Sequence, residues 1–593
     1  MNTVALDDRV LSDVCTTRQT GHVFLVVASH PDEVLLSALD ERGAPAAEPR
    51  PVPLAEFPVE VSRLEFSGER RDRPRWVWDD TTSWYPRLLA AGVRVERCVD
   101  LRLSHAILRN SELTAMTDLA RSERNGWDEP VPQERVGSRD GFRSSGEGLF
   151  DLESEPGAVP AATDPVAEFR LQREAIAASA DPGRIGLLLA AESAGALVAA
   201  EMQFAGLPWR ADLHEKLLAD MLGPRPQPGE RPAKLAVVLE QVRSALDAPD
   251  LNPDSPADLI KSLKRAGLMV SSTRSWELKK LSHPAIEPLL EYKKLSRLLS
   301  ANGWHWLDAN VHDGRFRPDY VVGGVVTGRW ASKGGGGALQ LPKQVRGAVV
   351  ADPGWKLVVA DASQLEPRIL AALSGDRAMA EAGQAKDMYA AIVASGAVAT
   401  RDKAKVAMLG AMYGATTGES GRLMPALTKA YPRAIGLVES AARAGERGDV
   451  VTTRLGRSSP RPGGTWGDVQ AAAYGDAATD ADASRARGQA RSWGRFTRNF
   501  VVQGSAAEWS LCWMATLRGS LRELGGKAWL TDAPHLVFFL HDEIVVHSPA
   551  AMTDAVVAAV ESAAAEAGRL LFGETPVEFP LSIAVVDSYA DAK

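Results

Sequence analysis

The chain reads as a multidomain α/β protein, and three observations predict this. Its 593 residues exceed what one hydrophobic core organises, so three or four domains are expected. Hydrophobic residues make up 45% and charged residues 24%, the balance of a water-soluble globular chain. Short β-branched apolar runs of strand length alternate with longer Ala/Leu-rich stretches of helical character. No run of eighteen apolar residues occurs, so a membrane span is not expected. The opening "MNTVALDDRVLSDV" is acidic and lacks an apolar signal core, which predicts a cytoplasmic protein. Cys15, Cys98 and Cys512 lie far apart and form no metal or redox spacing. Lysine and arginine total 68 against 76 acids, a net charge of −8. That balance weighs mildly against nucleic-acid binding, although a local basic stripe matters more than the total.

The elements follow in order. Residues 1 to about 105 are mixed α/β: "GHVFLVVAS" has strand composition, and "SWYPRLLAAGVRVERCVDLRLSHAIL" predicts helix, short strand and helix. Residues 122–165 are rich in Gly, Pro, Ser and charge and read as a flexible linker. "IGLLLAAESAGALVAAEMQFAGL" is apolar on nearly all sides and predicts a buried helix or helix pair. "LNPDSPADLIKSLKRAGL" predicts a helix capped by Asn252 or Ser255 and ended by Gly267. "AIEPLLEYKKLSRLLSANGWHWL" reads as another long helix, and "GRFRPDYVVGGVVTGRW" as a hairpin pair. "LVVADASQLEPRIL" predicts a strand and then a helix. Residues 376–498 are mostly helical. "HLVFFLHDEIVVHSP" predicts a hairpin, followed by a helix and a last strand in "VEFPLSIAVV".

Four constellations could carry chemistry. Asp361 ends an apolar strand; by itself it reads most simply as a helix N-cap. His541-Asp542-Glu543 sits between two apolar runs and reads as a polar hairpin tip. Such tips usually use Gly or Asn, however, so two adjacent acids need a further reason. Asp361 and Asp542 together could hold divalent cations, since Mg²⁺ takes one or two carboxylates plus substrate phosphates. Arg401, Lys405, Leu409 and Tyr413 recur every four residues and form one row on a helix. Such a row is either an amphipathic surface or a surface for a triphosphate, a sugar and a base. Arg495, Asn499 and Gln503 form a second polar row, suited to solvation or to base edges and minor-groove acceptors.

Taken together and in this order, these segments resemble family A DNA polymerases of the bacterial DNA polymerase I type. "DASQLEPR" is similar to the first palm motif, "RDKAKVAMLGAMYG" to the fingers-helix motif, "RNFVVQGSAAE" to the Asn-x3-Gln-Gly segment and "HDE" to the second palm motif. "TGRW", "LQLP", "NPDSPADL" and "LLEYKKLSRLL" resemble the segments ahead of the palm and in the thumb, so the likeness covers roughly 190–593. The resemblance implies a right-hand polymerase fold with an antiparallel-sheet palm and helical fingers and thumb. It places a ribonuclease-H-like 3′–5′ exonuclease-type domain at 1–190, the thumb at 191–310, the palm at 311–385 and 499–593, and the fingers at 386–498. It implies a monomeric, nucleoid-associated DNA-directed DNA polymerase of replication or repair. Its partners are primer–template DNA and dNTPs, and it uses two Mg²⁺ ions, with Mn²⁺ as a possible substitute. Asp361 and Asp542 are the implied metal ligands. Glu543 supports the metal site, and Lys405 is the implied general acid. Arg401, Lys405, Leu409, Tyr413, Glu366 and Gln364 are the implied nucleotide-binding residues, with Glu366 crowding the sugar 2′ position. Arg329, Gln340, Arg495, Asn499, Gln503 and His541 are the implied DNA-binding residues.

The chain departs from the family pattern in several places. Leu409 replaces an aromatic residue, Ala362 replaces a Tyr, Pro367 replaces an apolar helix residue, and Tyr389 stands where a His is common. In the N-terminal region Asp32 and Glu33 are adjacent rather than Asp-x-Glu. Asp80 falls where the family has Asn, and Trp84 falls where it has Asp. The expectation is therefore a domain without proofreading, and no 5′ nuclease domain. The alternatives are a catalytically impaired DNA-binding scaffold with a polymerase fold, or a relative of single-subunit RNA polymerases.

Overall fold

A computed structural model describes residues 24–66, 73–129, 164–333, 341–414, 418–473 and 478–592. The chain divides into two compact units. One is drawn from Met1–Ala205, Asp319–Gly335 and Val358–Ala584, the other from Gly206–Pro318, Gly336–Leu357 and Val585–Lys593.

The first unit opens with a mixed five-stranded sheet. Its strands are β1 (Phe24–Ser29), β2 (Glu33–Leu39), β3 (Arg50–Pro53), β4 (Arg75–Trp78) and β5 (Cys98–Asp100). They lie in the order β3-β2-β1-β4-β5. β1 runs antiparallel to β2, with Phe24 opposite Leu39, and parallel to β4. Alternating inward residues build a core that includes Phe24, Val26, Leu39 and Val77, closed by Leu101, Trp127 and Phe169. The Ala/Leu-rich run forms one helix, α1 (Pro182–Ala205), as its all-round apolar surface predicts. By length and composition α1 could cross a membrane, yet its most apolar window is 83% buried inside the fold, as in a core helix. Glu201 near its end is buried. It accepts hydrogen bonds from Tyr85 Oη (2.6 Å), Arg94 Nη2 (3.0 Å) and Arg518 Nη2 (2.8 Å). Burial would raise its pKa, but the two guanidiniums outweigh burial and hold the carboxyl well below the usual range.

Most residues of a four-stranded sheet also fall in this unit: β6 (Trp355–Ala362), β7 (His535–Leu540), β8 (Glu543–Pro549) and β9 (Leu581–Val586), in the order β7-β8-β6-β9. Around it stand α2 (Leu365–Ser374), α3 (Met388–Ala394), α4 (Arg401–Tyr413), α5 (Gly464–Ala472) and the 46-residue α6 (Asp480–Gly525). The expected hairpin pair across 314–330 does not form. Tyr320–Val321 pairs with Ala331–Ser332 in this unit, whereas Arg315–Phe316 pairs elsewhere. Pro318 lies between the two short strands and has no N–H to continue a ladder.

The second unit is mainly helical, with helices Ala211–Leu222, Ala233–Ala245, Pro256–Arg265, Ile286–Asn302 and Trp304–Asn310. Ser255 caps the third through a bond from Asp258 N, and Gly267, at φ +81°, follows its end. The expected single helix over 285–307 breaks at Gly303, where the backbone is extended. Trp209, Trp306 and Phe316 pack ring to ring at 5.1–5.8 Å. His214 is buried beside them with Nε2 2.9 Å from Asn302 O, and burial pulls its pKa down to about 4.

Candidate active site

Leu357 to Ala360 are all buried and drive β6 into the sheet, while Asp361 at its end is part-exposed. Asp361 does not cap α2. Gln364 takes the N-cap position with a left-handed backbone (φ 57°), and no side chain caps the helix there. Instead the strand end is tied to the HDE turn: Ala362 N donates to Asp542 O at 2.9 Å. Leu540 pairs with Glu543, so His541 and Asp542 form a two-residue turn. His541 supplies the positive φ (60°) that Gly or Asn usually supplies. Gln364 and His541 are two of four non-glycine residues with positive φ among the described residues. Each costs about 1–3 kcal/mol, a strain that persists where the surroundings enforce it and that concentrates at working sites. Glu543, the first residue of β8, is buried.

A polar network surrounds these strand ends. Arg329 Nη2 bonds Glu366 Oε1 at 2.6 Å. Tyr413 Oη donates to the same carboxylate at 2.8 Å. Thr327 Oγ1 donates to Gln503 Oε1 at 3.0 Å. Partial burial, then the Glu366 charge, pushes the Tyr413 phenol up to about 12, so it stays a donor at neutral pH. Partial burial, with the Arg329 charge, lowers the His541 pKa and favours a neutral ring. Residues from five distant segments thus meet here.

The face of α4 opposite its buried Ala404, Ala407, Met408 and Ala411 presents Arg401, Lys405, Leu409 and Tyr413. Lys405 pairs with no carboxylate among the described residues. Arg401 Nε bonds Asp387 Oδ2 at 2.7 Å, and its guanidinium lies 5.7 Å from the Tyr389 ring centre. Asp387 also accepts from Gln364 Nε2 at 2.9 Å, and Gln364 Oε1 accepts from Met388 N at 2.8 Å. The Gln364 amide is therefore engaged at both ends in linking β6 to α3. α6 packs on α4 where Arg498 Nη1 donates to Ala411 O at 2.9 Å. A Cβ at Gly414 would lie 2.7 Å from Arg495 Cγ, so Arg495 crosses the end of α4 where only glycine fits. Asn499, one turn further on, keeps a buried Oδ1 without a hydrogen bond. Gln340 lies outside the described residues.

The acids of the N-terminal sheet are used differently. Asp32 and Glu33 are exposed. Asp80 caps the helix Thr81–Ala90 through Thr82 N at 2.6 Å. Trp84 is buried, and its indole N–H donates to Asp79 Oδ1 at 2.7 Å. Asp100 is buried and accepts from Thr81 N (2.8 Å), Thr81 Oγ1 (2.7 Å) and Leu103 N (3.0 Å). Burial, and then the Asp80 charge, pushes its pKa up to about 7. Among the described residues, no three or more His, Cys, Asp or Glu side chains are grouped to hold a metal ion.

The model of DNA polymerase family A matches residues 232–590. The chain belongs to DNA polymerase family A. It is 27% identical over 358 residues to the thermostable DNA polymerase I of Thermus thermophilus, covering 55% of this chain and 38% of that protein. It is 27% identical over 330 residues to DNA polymerase I of Chloroflexus aurantiacus, covering 50% of this chain and 32% of that protein. The chain therefore spans well under half the length of these relatives. A solved structure, the POL domain of Pol1 from M. smegmatis in complex with DNA primer-template and dNTP, matches with a TM-score of 0.62 at 17% identity. The match covers 100% of this chain and 99% of that one. It shows the right-hand polymerase fold that the sequence predicts.

Within this family A fold the departures from the motif have local explanations. Pro367 is the third residue of α2, in the first turn, where its missing N–H breaks no helix bond. Ala362 is buried in the strand. Tyr389 packs under Arg401. Sequence reasoning gave no role to Arg368 or Asp387. Arg368 is fully buried and donates to the carbonyls of Ser363, Gly383, Glu578, Ala385 and Lys386 at 2.6–3.0 Å. Burial lowers its pKa to about 10. It clamps the turn after Asp361 in place. The signal for Asp387 was its position just before the apolar run "MYAAIVA", a capping pattern.

Proposed function

We propose that the chain is a template-directed DNA polymerase that adds deoxynucleotides to a primer 3′ end and releases pyrophosphate. The observation that carries the reading is the 2.9 Å bond from Ala362 N to Asp542 O. It brings together the ends of two neighbouring strands whose part-exposed acids lie far apart in the sequence, and α4 is tied to the same turn through Tyr413–Glu366 and Arg401–Asp387–Gln364. Two part-exposed carboxylates at adjoining strand ends suit Mg²⁺, whose remaining ligands are waters and substrate phosphates. Bound by Asp361 and Asp542, divalent cations would acidify the primer hydroxyl and offset phosphate charge.

The other roles belong to the chain's own side chains. Arg401 and Lys405 bind the triphosphate, and Lys405 is placed to give a proton to the departing pyrophosphate. Arg401 must first exchange Asp387 for phosphate. Leu409 lines the sugar site. Glu366, fixed by Arg329 and Tyr413, crowds the 2′ position and favours deoxynucleotides, with Gln364 holding the turn beneath. Arg329, Arg495, Asn499, Gln503 and His541 track primer and template, and Glu543 braces the turn that bears Asp542. The N-terminal sheet does not proofread in this reading, because Asp79, Asp80 and Asp100 serve an indole contact and helix caps while Asp32 and Glu33 lie exposed. The enzyme works in the cytoplasm on primer–template DNA.

The test is primer extension with dNTPs and with rNTPs, with Mg²⁺ and then Mn²⁺. Wild type is expected to extend with dNTPs. Asp361→Ala and Asp542→Ala are expected to lose at least ~10³-fold while primer–template affinity stays within roughly threefold. Extension by either variant within a few-fold of wild type would sink the assignment.

A further inference from the structure

The polar row on α6 does not stop at Arg495. Arg491 and Arg487 continue it at the same spacing of four, and all three arginines are exposed. None of them pairs with a carboxylate among the described residues. Arg491 Nε bonds Arg487 O at 3.2 Å, which lays that side chain along the helix. The nearby Asp482 is already engaged. Asp482 closes a capping box with Thr479 and lies 4.0 Å from Arg485.

A solvated helix face normally alternates charge at this spacing, because like charges four apart repel. A same-sign row in a chain of net charge −8 therefore fits a polyanion better than solvent. Its direction identifies which one. Arg495 crosses Gly414 at the end of α4, next to Tyr413, and from there Arg491 and Arg487 lead away from the site for roughly 12 Å. α5 lies along the same stretch without a buried residue of its own, joined by Gln470 Nε2 to Ala486 O at 3.1 Å. Nothing in the four sequence motifs includes this segment.

We propose that Arg487 and Arg491 hold the phosphates of the unpaired template strand before it reaches the site. This rests on the polymerase reading above, and its test is kept separate. Fluorescent hairpin primer–templates with one-nucleotide and eight-nucleotide oligo-dT overhangs are titrated with protein at several salt concentrations. Wild type is expected to bind the long overhang more tightly and with a steeper salt dependence. The pair Arg487→Gln and Arg491→Gln should bring the long overhang to the affinity of the short one. It should also reduce the salt slope on the long overhang by ~1.4, about 0.7 per phosphate contact on single strands. Affinity for the short overhang should not change, and Arg487→Lys with Arg491→Lys should retain most of the long-overhang preference. An equal loss on both overhangs, no loss on either, or a wild type blind to overhang length overturns the proposal. Failure of wild type to add a nucleotide to the one-nucleotide overhang would instead count against the polymerase reading.

Discussion

Two sets of acids in the first unit share residue types and differ in what the fold does with them. Asp361 and Asp542 stand at neighbouring strand ends, part-exposed and joined through the backbone. Asp79, Asp80 and Asp100 also sit at strand ends. Their oxygens, however, receive an indole N–H, helix amides and a threonine hydroxyl. A carboxylate filled by backbone donors is a cap. One at the part-exposed end of a strand pair, with positive-φ turns beside it and a buried Arg368 behind it, lies where a ligand can reach it. What each acid is built against, more than residue type, separates the two: a local helix start in one set, a second strand end in the other.

That contrast can be broken or sharpened by substitution. The largest effect is expected at Trp84→Asp, which restores the acid at the N-terminal position. Losing a buried indole that packs 5.5 Å from Phe57 should cost ~3–5 kcal/mol, read from urea unfolding. Digestion of a mismatched primer should still be absent, since the neighbouring acids remain committed; clear digestion would show the set to be one residue from function. Next is Asp361→Glu, which keeps the charge and moves it by one methylene. A displacement of that size should slow extension by roughly 10²-fold, and single-turnover rates near wild type would argue that the position of the carboxylate is not critical. Glu366→Ala removes the partner of both Arg329 and Tyr413. Ribonucleotide use relative to deoxynucleotide use should rise by roughly tenfold or more, measured by competing the two substrates.

The smallest effect concerns pH. Folded, Asp100 keeps its proton up to about 7; unfolded, it releases it near pH ~4. Between these values the folded state holds the extra proton. Stability from this group is thus full below pH ~4 and declines as pH rises through 7. Asp100→Asn should flatten that part of the stability–pH curve, and an unchanged curve would show that the buried carboxyl is not the cause.

Much of this molecule is legible in its sequence. Periodicity and composition predict the buried α1, the hairpin around HDE and the capped helix at Ser255, because each depends on contacts within a few residues. The row Arg401–Lys405–Leu409–Tyr413 is equally local, and it lies on one face as its spacing requires. What was misread also has a local cause. Gly303 and Pro318 interrupt runs whose apolar pattern continues across them.

The sequence alone determined which residues are candidates: two strand-end acids, two polar helical rows, and an N-terminal region lacking an acid where Trp84 stands. Whether Asp361 is a cap or a paired strand-end carboxylate was open until the 2.9 Å bond between Ala362 and Asp542 joined segments far apart in the chain. The same holds for Glu366 between Arg329 and Tyr413, for Asp387 holding Arg401, and for Arg368 gathering five carbonyls. The physical reason is common to all of them. Capping and periodicity are properties of a few consecutive residues, whereas the partners a side chain meets in the fold come from wherever the chain returns.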